Sequence, residues 1–159
     1  TEKGRGGVRM IHVMASSVLP ASVSSVWGLI RDFGALGKWL PGVKTCVIEG
    51  DEPGDRVGAV RRLEMGDVGV IREQLLALSD VDHTVMFSII ESALPISNYR
   101  STISLLPITD GDRTFIQWRG QFEAPLEHAV SMEARMPTDI YQPAFDRLTD
   151  ILASQEMPS

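Results

Sequence analysis

The stretch GAVRRLEMGDVGVIREQL, Gly58 to Leu75, decides the fold, because it sets an arginine and a glutamate inside two otherwise apolar alternating runs. Alternation reads as strand, and Gly66-Asp67 between the runs reads as a hairpin turn. With a three-residue loop over Gly66, Asp67 and Val68, Met65 faces Gly69, Leu63 faces Ile71 and Arg61 faces Glu73. Residues opposite one another share a face, with Cβ atoms roughly 5 Å apart. That face also carries Val57, Ala59, Leu63, Ile71, Leu75 and Ala77. A two-residue turn would instead set Arg61 opposite Arg72 and send Glu73 to the other side, since a one-residue slip flips every side chain. The hydrophobic pattern favours the first register. Charges on an apolar face are costly unless paired or used, whereas on a solvent face they mean little.

Working outward, MIHVMASSVL (Met10 to Leu19) reads as a strand. The period then changes: Val23, Val26, Trp27 and Ile30 follow helical spacing with Ser22 available as a cap. Gly34, Gly37 and Pro41-Gly42 divide this region into two short helices. Six strand-like runs follow, VKTCVIEG, RVGAVRRLEM, VGVIREQLLALS, HTVMFSIIES, YRSTISLLPI and RTFIQWRGQFEA. The turn signals between them include Pro53-Gly54-Asp55, Asp80-Val81-Asp82 and Asp110-Gly111-Asp112. Past Pro137 the helical period returns, with Tyr141, Ala144, Phe145, Leu148, Ile151 and Leu152 on one face. This predicts a closing helix from Thr138 to about Ala153, with Pro143 near its start or at a kink. The order is that of an α+β fold, a curved seven-stranded antiparallel sheet wrapped around a long C-terminal helix. The space between sheet and helix is then expected to be a cavity that binds a small molecule.

Composition narrows the function. The 159 residues suffice for one domain, expected over 8–155 behind a loose N-terminal tail, 1–7. The single Cys46 excludes an internal disulfide framework, no Cys/His cluster has zinc spacing, and a reducing, cytoplasmic setting is expected. No apolar run reaches the ~20 residues of a membrane span. TEKGRGG lacks the apolar core of a secretion signal, so the chain reads as mature, without membrane insertion. A net charge of -6 without a basic block argues against nucleic acid. The expected partner is a small hydrophobic or amphipathic molecule, with no cofactor and no metal.

Residues from about Met10 to Leu152 resemble the helix-grip superfamily, which includes the birch pollen allergen, START lipid-transfer domains and polyketide cyclases. Within that span HTVMFSIIESALPISNYRSTISLLP is similar to the corresponding segment of plant abscisic acid receptors and lachrymatory factor synthases. The receptors' Ser-Gly-Leu-Pro-Ala gate is missing from EMGDVGV, and their His-Arg-Leu latch is missing from ALPIS. Their carboxylate-binding lysine aligns near Leu40, with Lys38 close by. A hormone-sensing role is not implied. The synthase pattern matches at Arg61 in GAVR, Glu73 in REQLLAL and Tyr99 in SNYRST. The resemblance implies that this Arg and Glu move protons and that the Tyr helps hold the substrate.

Two functions fit these residues. In one, an enzyme performs a cofactor-independent proton transfer as a cyclase, isomerase or lyase, with Glu73 handling the proton and Arg61 stabilising an oxyanion. In the other, a carrier or sensor uses the same pair to anchor a polar head. An Arg–Glu pair on adjacent strands is also a common structural ion pair. Candidate ligand contacts are Leu63, Ile71 and Leu75 on the hairpin, Trp118 on the last strand, and Tyr141 and Phe145 on the closing helix. Trp39 and Leu40 are candidates for the rim, and Met132 and Met136 for the pocket mouth, where core packing is the alternative. His12, His83 and His128 share no ligand spacing, and Cys46 reads as a small sheet residue.

Overall fold

The computed structural model describes residues 7–156, so residues 1–6 of the expected tail lie outside the described residues. Strand β1 (Val8–Leu19) leads into helix α1 (Val23–Ile30), which buries Val23, Val26, Trp27 and Ile30. Ser22 caps this helix, its Oγ accepting from the Ser25 backbone N–H at 3.3 Å. Asp80 fastens the same helix to the sheet by accepting from Trp27 Nε1 at 2.7 Å and Arg31 Nε at 2.8 Å. The second helix is a 3-10 stretch, Phe33–Lys38, with a non-helical break at Ala35. Glycines at 34 and 37 weaken an α-helix there and leave the tighter, shorter form.

Strands β2 (Val43–Ile48), β3 (Val60–Met65), β4 (Gly69–Ser79), β5 (Thr84–Glu91), β6 (Ser97–Ile108) and β7 (Arg113–Pro125) follow. With β1 they form one curved antiparallel sheet in the order β1-β7-β6-β5-β4-β3-β2. The β3–β4 hairpin adopts the three-residue register: Gly66–Val68 is a turn of 3-10 helix, Met65 pairs with Gly69, Leu63 with Ile71 and Arg61 with Glu73. Gly69 leaves the turn at φ 84, a conformation in which glycine meets no steric penalty. Arg62 and Arg72 pair on the opposite face, where Arg72 reaches Glu49 at 2.8 Å and Glu91 at 3.2 Å. Two expected inward residues face solvent instead. Val57 precedes β3 in a turn closed by Ala59 N–H donating to the Arg56 carbonyl, and is exposed. Ala77 is turned outward by a register shift between Leu75 and Ala77.

The closing helix starts earlier than expected. Helix α2 (Leu126–Met136) runs through one π turn, Pro137–Tyr141, into helix α3 (Gln142–Glu156). Helix α2 buries only Ala129 and Met136, so it has strong helix formers but no apolar stripe to betray its period. Pro143 is the second residue of α3 but stands inside the continuous helical run 126–156, two residues past the π turn, and not near the start of the closing helix. The Gln142 N–H reaches back to the Pro137 carbonyl, the wide spacing of a π turn, so the helix passes two prolines with a local widening instead of a break. Tyr141, Ala144, Phe145, Leu148 and Leu152 are all buried in one core with Ile11, Ile103, Leu105, Ile116 and Phe122 of the sheet. Among the described residues no helix is long and apolar enough to cross a membrane. Leu148 is fully buried at the centre of this contact. Leu148→Ala is expected to lower stability by about 2–5 kcal/mol, measured as a drop in the urea midpoint at unchanged slope.

Candidate functional site

Arg61 and Glu73 project from paired positions of β3 and β4 into the core, 3% and 7% exposed. Arg61 Nε donates to Glu73 Oε1 at 2.8 Å, and Nη2 lies 2.7 Å from the same oxygen as an ion pair. Arg61 Nη1 donates to the Phe33 carbonyl at 3.0 Å. The guanidinium carbon lies 3.9 Å from the centroid of the Phe33 ring and 4.7 Å from that of Phe87. Such aromatic faces favour a cation where water has been removed. Arg61 is therefore held on three sides, by Glu73, a backbone carbonyl and two rings. Among the described residues nothing donates to Glu73 Oε2.

A second polar group stands on β6, β7 and the π turn. The Tyr99 and Tyr141 hydroxyls lie 2.6 Å apart, both buried. The Tyr141 ring stacks on Trp118 at 4.1 Å between centroids, 13° from parallel. Trp118 Nε1 donates to Ser101 Oγ. Burial pushes the Tyr99 phenol up to about 12, against a smaller opposing effect of the Ser101 hydroxyl, and drives Tyr141 further upward. Gly120, an inward position of β7, makes room for this arrangement: a Cβ there would collide with the Tyr141 hydroxyl and lie 3.4 Å from that of Tyr99.

Between the two groups lies a cavity of about 80 Å³. Arg61, Glu73 and Tyr99 line it, as do Leu40, Leu63, Ile71, Trp118 and Met136 from the expected set. Leu75, Phe145, Trp39, Tyr141 and Met132 do not line it. Leu75 and Phe145 are consumed by core packing. Tyr141 stands behind Trp118, Trp39 meets Trp118 edge-on at 5.9 Å, and Met132 packs half-buried against the core. The Trp39 Nε1 is buried without an acceptor among the described residues. Phe87 and Ile89 also line the cavity and were not expected there, although their alternation along β5, opposite Leu75 and Glu73, is the signal that marks them. Leu94 and Ile96 of the β5–β6 loop and Ile140 of the π turn, all partly exposed, form the outer rim. Loop and π geometry have no hydrophobic period that would have announced them. Cys46 is half-buried on β2 with its thiol pushed up by burial, the opposite of a reactive thiolate. Among the described residues no three His, Cys, Asp or Glu side chains gather to hold a metal ion.

Residues 10–153 match the family model described as polyketide cyclase / dehydrase and lipid transport. The chain belongs to this family. Among solved structures, the protein XoxI of Bacillus cereus is 27% identical with a TM-score of 0.79, over 93% of this chain and 99% of its own. A Nitrosospira multiformis protein is 31% identical with a TM-score of 0.74, over 91% of this chain and 97% of its own. Norcoclaurine synthase of Thalictrum flavum, solved with dopamine and hydroxybenzaldehyde, is 17% identical with a TM-score of 0.74 over 95% of this chain and 91% of its own. At that identity it shares the fold. Family and fold together make this a ligand-binding or cyclase-type protein of the helix-grip class.

The chain's two tyrosines are both in the buried pair, which makes them a sharp probe. An unfolded tyrosine ionises near pH 10. Above that value the unfolded chain sheds protons that the folded chain keeps, so stability falls from about pH 10 up to the raised folded value. The native protein is expected to show no phenolate absorbance at about pH 10, where the urea-unfolded chain is half ionised. An ordinary tyrosine titration in the native state would contradict the pairing. Gly120→Ala, which displaces Tyr141, is expected to cost about 1–3 kcal/mol and to shift that titration toward normal.

Proposed function

We propose that the protein is a cofactor-independent enzyme that transfers a proton on a small, mostly apolar substrate, as a cyclase, isomerase or lyase does. The observation that carries this reading is the asymmetry of Glu73. Its Oε1 accepts from Arg61 Nε with Nη2 beside it in an ion pair, while among the described residues Oε2 has no donor and the residue lines the cavity. A carboxylate held in one orientation with one free oxygen is suited to take a proton from a bound molecule and return it elsewhere. Arg61 Nε donates to Glu73, Nη1 donates to the Phe33 carbonyl and Nη2 lies against Glu73, which favours a role in fixing Glu73 over one in holding an oxyanion. Tyr99 is the remaining polar contact for substrate. The net charge of -6 disfavours nucleic acid as a partner, and the single cysteine suits a reducing, cytoplasmic setting.

A carrier of long-chain lipid fits less well. The cavity of about 80 Å³ is far below the ~300 Å³ at which pockets for drug-sized ligands begin, so a lipid would require the core to open. The test is hydrogen–deuterium exchange at the methyl group of acetophenone in heavy water, followed by NMR. The wild-type protein is expected to accelerate exchange, and Glu73→Gln to lose roughly 10²-fold of that acceleration while keeping affinity within about tenfold. Acceleration that survives in Glu73→Gln removes the carboxylate from the mechanism. Binding without any exchange, for acetophenone and a panel of small ketones, leaves a carrier.

A further inference from the structure

On the outer face of the sheet, turned away from the cavity, the strand register sets Met14 of β1, Arg119 of β7, Thr102 of β6 and Met86 of β5 side by side. One step along the strands, Gln121 is paired with His12 on one side and Arg100 on the other. These residues line an open groove of about 390 Å³, within the range of small-molecule sites. Among the described residues no carboxylate lines it. Glu123, the next outward residue of β7, already accepts from Asn98 Nδ2 at 2.5 Å. Such a groove is unexpected in a chain with 21 Asp and Glu against 15 Lys and Arg. Arg100 and Arg119 are diagonal neighbours on β6 and β7, with backbones roughly 7–8 Å apart. Other arginines of the fold hold carboxylates: Arg31 holds Asp80, Arg56 Glu52, Arg72 Glu49 and Arg135 Asp139. Among the described residues Arg100 and Arg119 form neither an ion pair nor a side-chain hydrogen bond, although both are exposed along one groove. Like charges set this close repel, and folding gains nothing from them. An anion between the two guanidinium groups removes that repulsion and accepts from both planar forks.

We propose that this groove on β1, β7, β6 and β5 binds a small, soluble phosphate monoester with an apolar body, held between Arg100 and Arg119. Two fixed cations match a dianion, and a monoester near charge -2 offers three oxygens to two forks, where a carboxylate offers one charge and two oxygens. Thr102 and Gln121 add neutral hydrogen-bonding groups beside the arginines. Met14 and Met86 stand at the two ends of their row, where thioethers adapt to an apolar body. A lipid headgroup can present the same phosphate. The chain's net charge of -6, however, repels an anionic bilayer as a whole, while a single soluble anion is free to enter a locally basic groove. The groove and the cavity lie on opposite faces of the sheet: on β7 Trp118 lines the cavity and Arg119 the groove. The two sites therefore stand or fall separately.

The test is calorimetric titration of the full chain with phenyl phosphate at about pH 7.5, where a monoester is close to a dianion, beside benzoate and benzyl alcohol. The wild-type protein is expected to bind phenyl phosphate with a Kd of about 1 mM or tighter, benzoate more weakly, and benzyl alcohol not at all. Arg100→Gln and Arg119→Gln should each weaken phenyl phosphate about tenfold, the effect of one charge-assisted hydrogen bond. Arg62→Gln removes the same charge from another part of the outer face and should stay within about twofold of wild type. Without ligand, neither groove variant should lower the urea midpoint, whereas an arginine with a structural role would lower it when replaced. Phenyl phosphate should raise that midpoint more in the wild type than in either variant. An equal loss in Arg62→Gln reduces the effect to net charge and overturns the site. Unchanged affinity in both groove variants, benzoate as tight as phenyl phosphate, or no saturable binding at all also overturns it. Vesicles of phosphatidylcholine with and without phosphatidic acid distinguish the sources: capture that needs both arginines and phosphatidic acid, without binding of phenyl phosphate, overturns the soluble ligand.

Discussion

The buried ion pair between Arg61 and Glu73 is the constraint from which the rest of the architecture follows. Two opposite charges in an apolar interior are tolerable only side by side, and on adjacent antiparallel strands that requires facing positions. The requirement selects the three-residue turn at Gly66–Val68, since a slip by one residue would bury one charge and expose the other. It also reaches beyond the hairpin. Arg61 takes the Phe33 carbonyl and the rings of Phe33 and Phe87, so the 3-10 stretch after α1 and strand β5 are gathered around one guanidinium. The arrangement is not a cheap source of stability, because apolar residues of similar volume often fill such a site as well or better. What it provides is a carboxylate held in one orientation at the wall of the cavity.

The hairpin was legible in the sequence because both of its determinants are local. Alternation marks the faces, and Gly66-Asp67 marks the turn. The same holds for α1, whose Ser22 cap and apolar spacing lie within a few residues of one another. The face assignment failed at Val57 and Ala77, where a turn and a bulge, invisible to a period-two count, change which way side chains point. Helix α2 escaped for a different reason: most of its surface meets water, and a helix that buries only Ala129 and Met136 leaves no stripe. Pro137 compounded this by reading as a boundary, when the chain crosses it in a π turn.

The candidate site was legible to the same extent. Arg61, Glu73 and Tyr99 stood out as polar residues in apolar alternation, and all three line one cavity. The group around Tyr99 was out of reach, because only Ser101 shares its strand: Tyr141, which meets its hydroxyl, comes from the π turn, and Trp118, which donates to Ser101, comes from β7. Gly120 shows the limit most clearly. In QWRGQF it reads as a weak point in a strand, and the Tyr141 hydroxyl, with Val13 beside it, explains why a side chain is missing there.

The π turn ties the helix to the chemistry of the cavity. A regular helix through Pro143 would ask its nitrogen for a hydrogen bond that it cannot donate, and the widened turn resolves this just where the helix passes the polar group. On one side of that turn Met136 and Ile140 reach the cavity; at its end Tyr141 turns onto Trp118 and meets Tyr99. The large rings that hold the hydroxyls also keep the cavity small, near 80 Å³. Size and polarity thus have a common cause. The aromatic residues that hold the tyrosine hydroxyls at one end and flank the Arg61–Glu73 pair at the other leave only a compact space between them, so the size and the polarity of the cavity are set by the same few side chains.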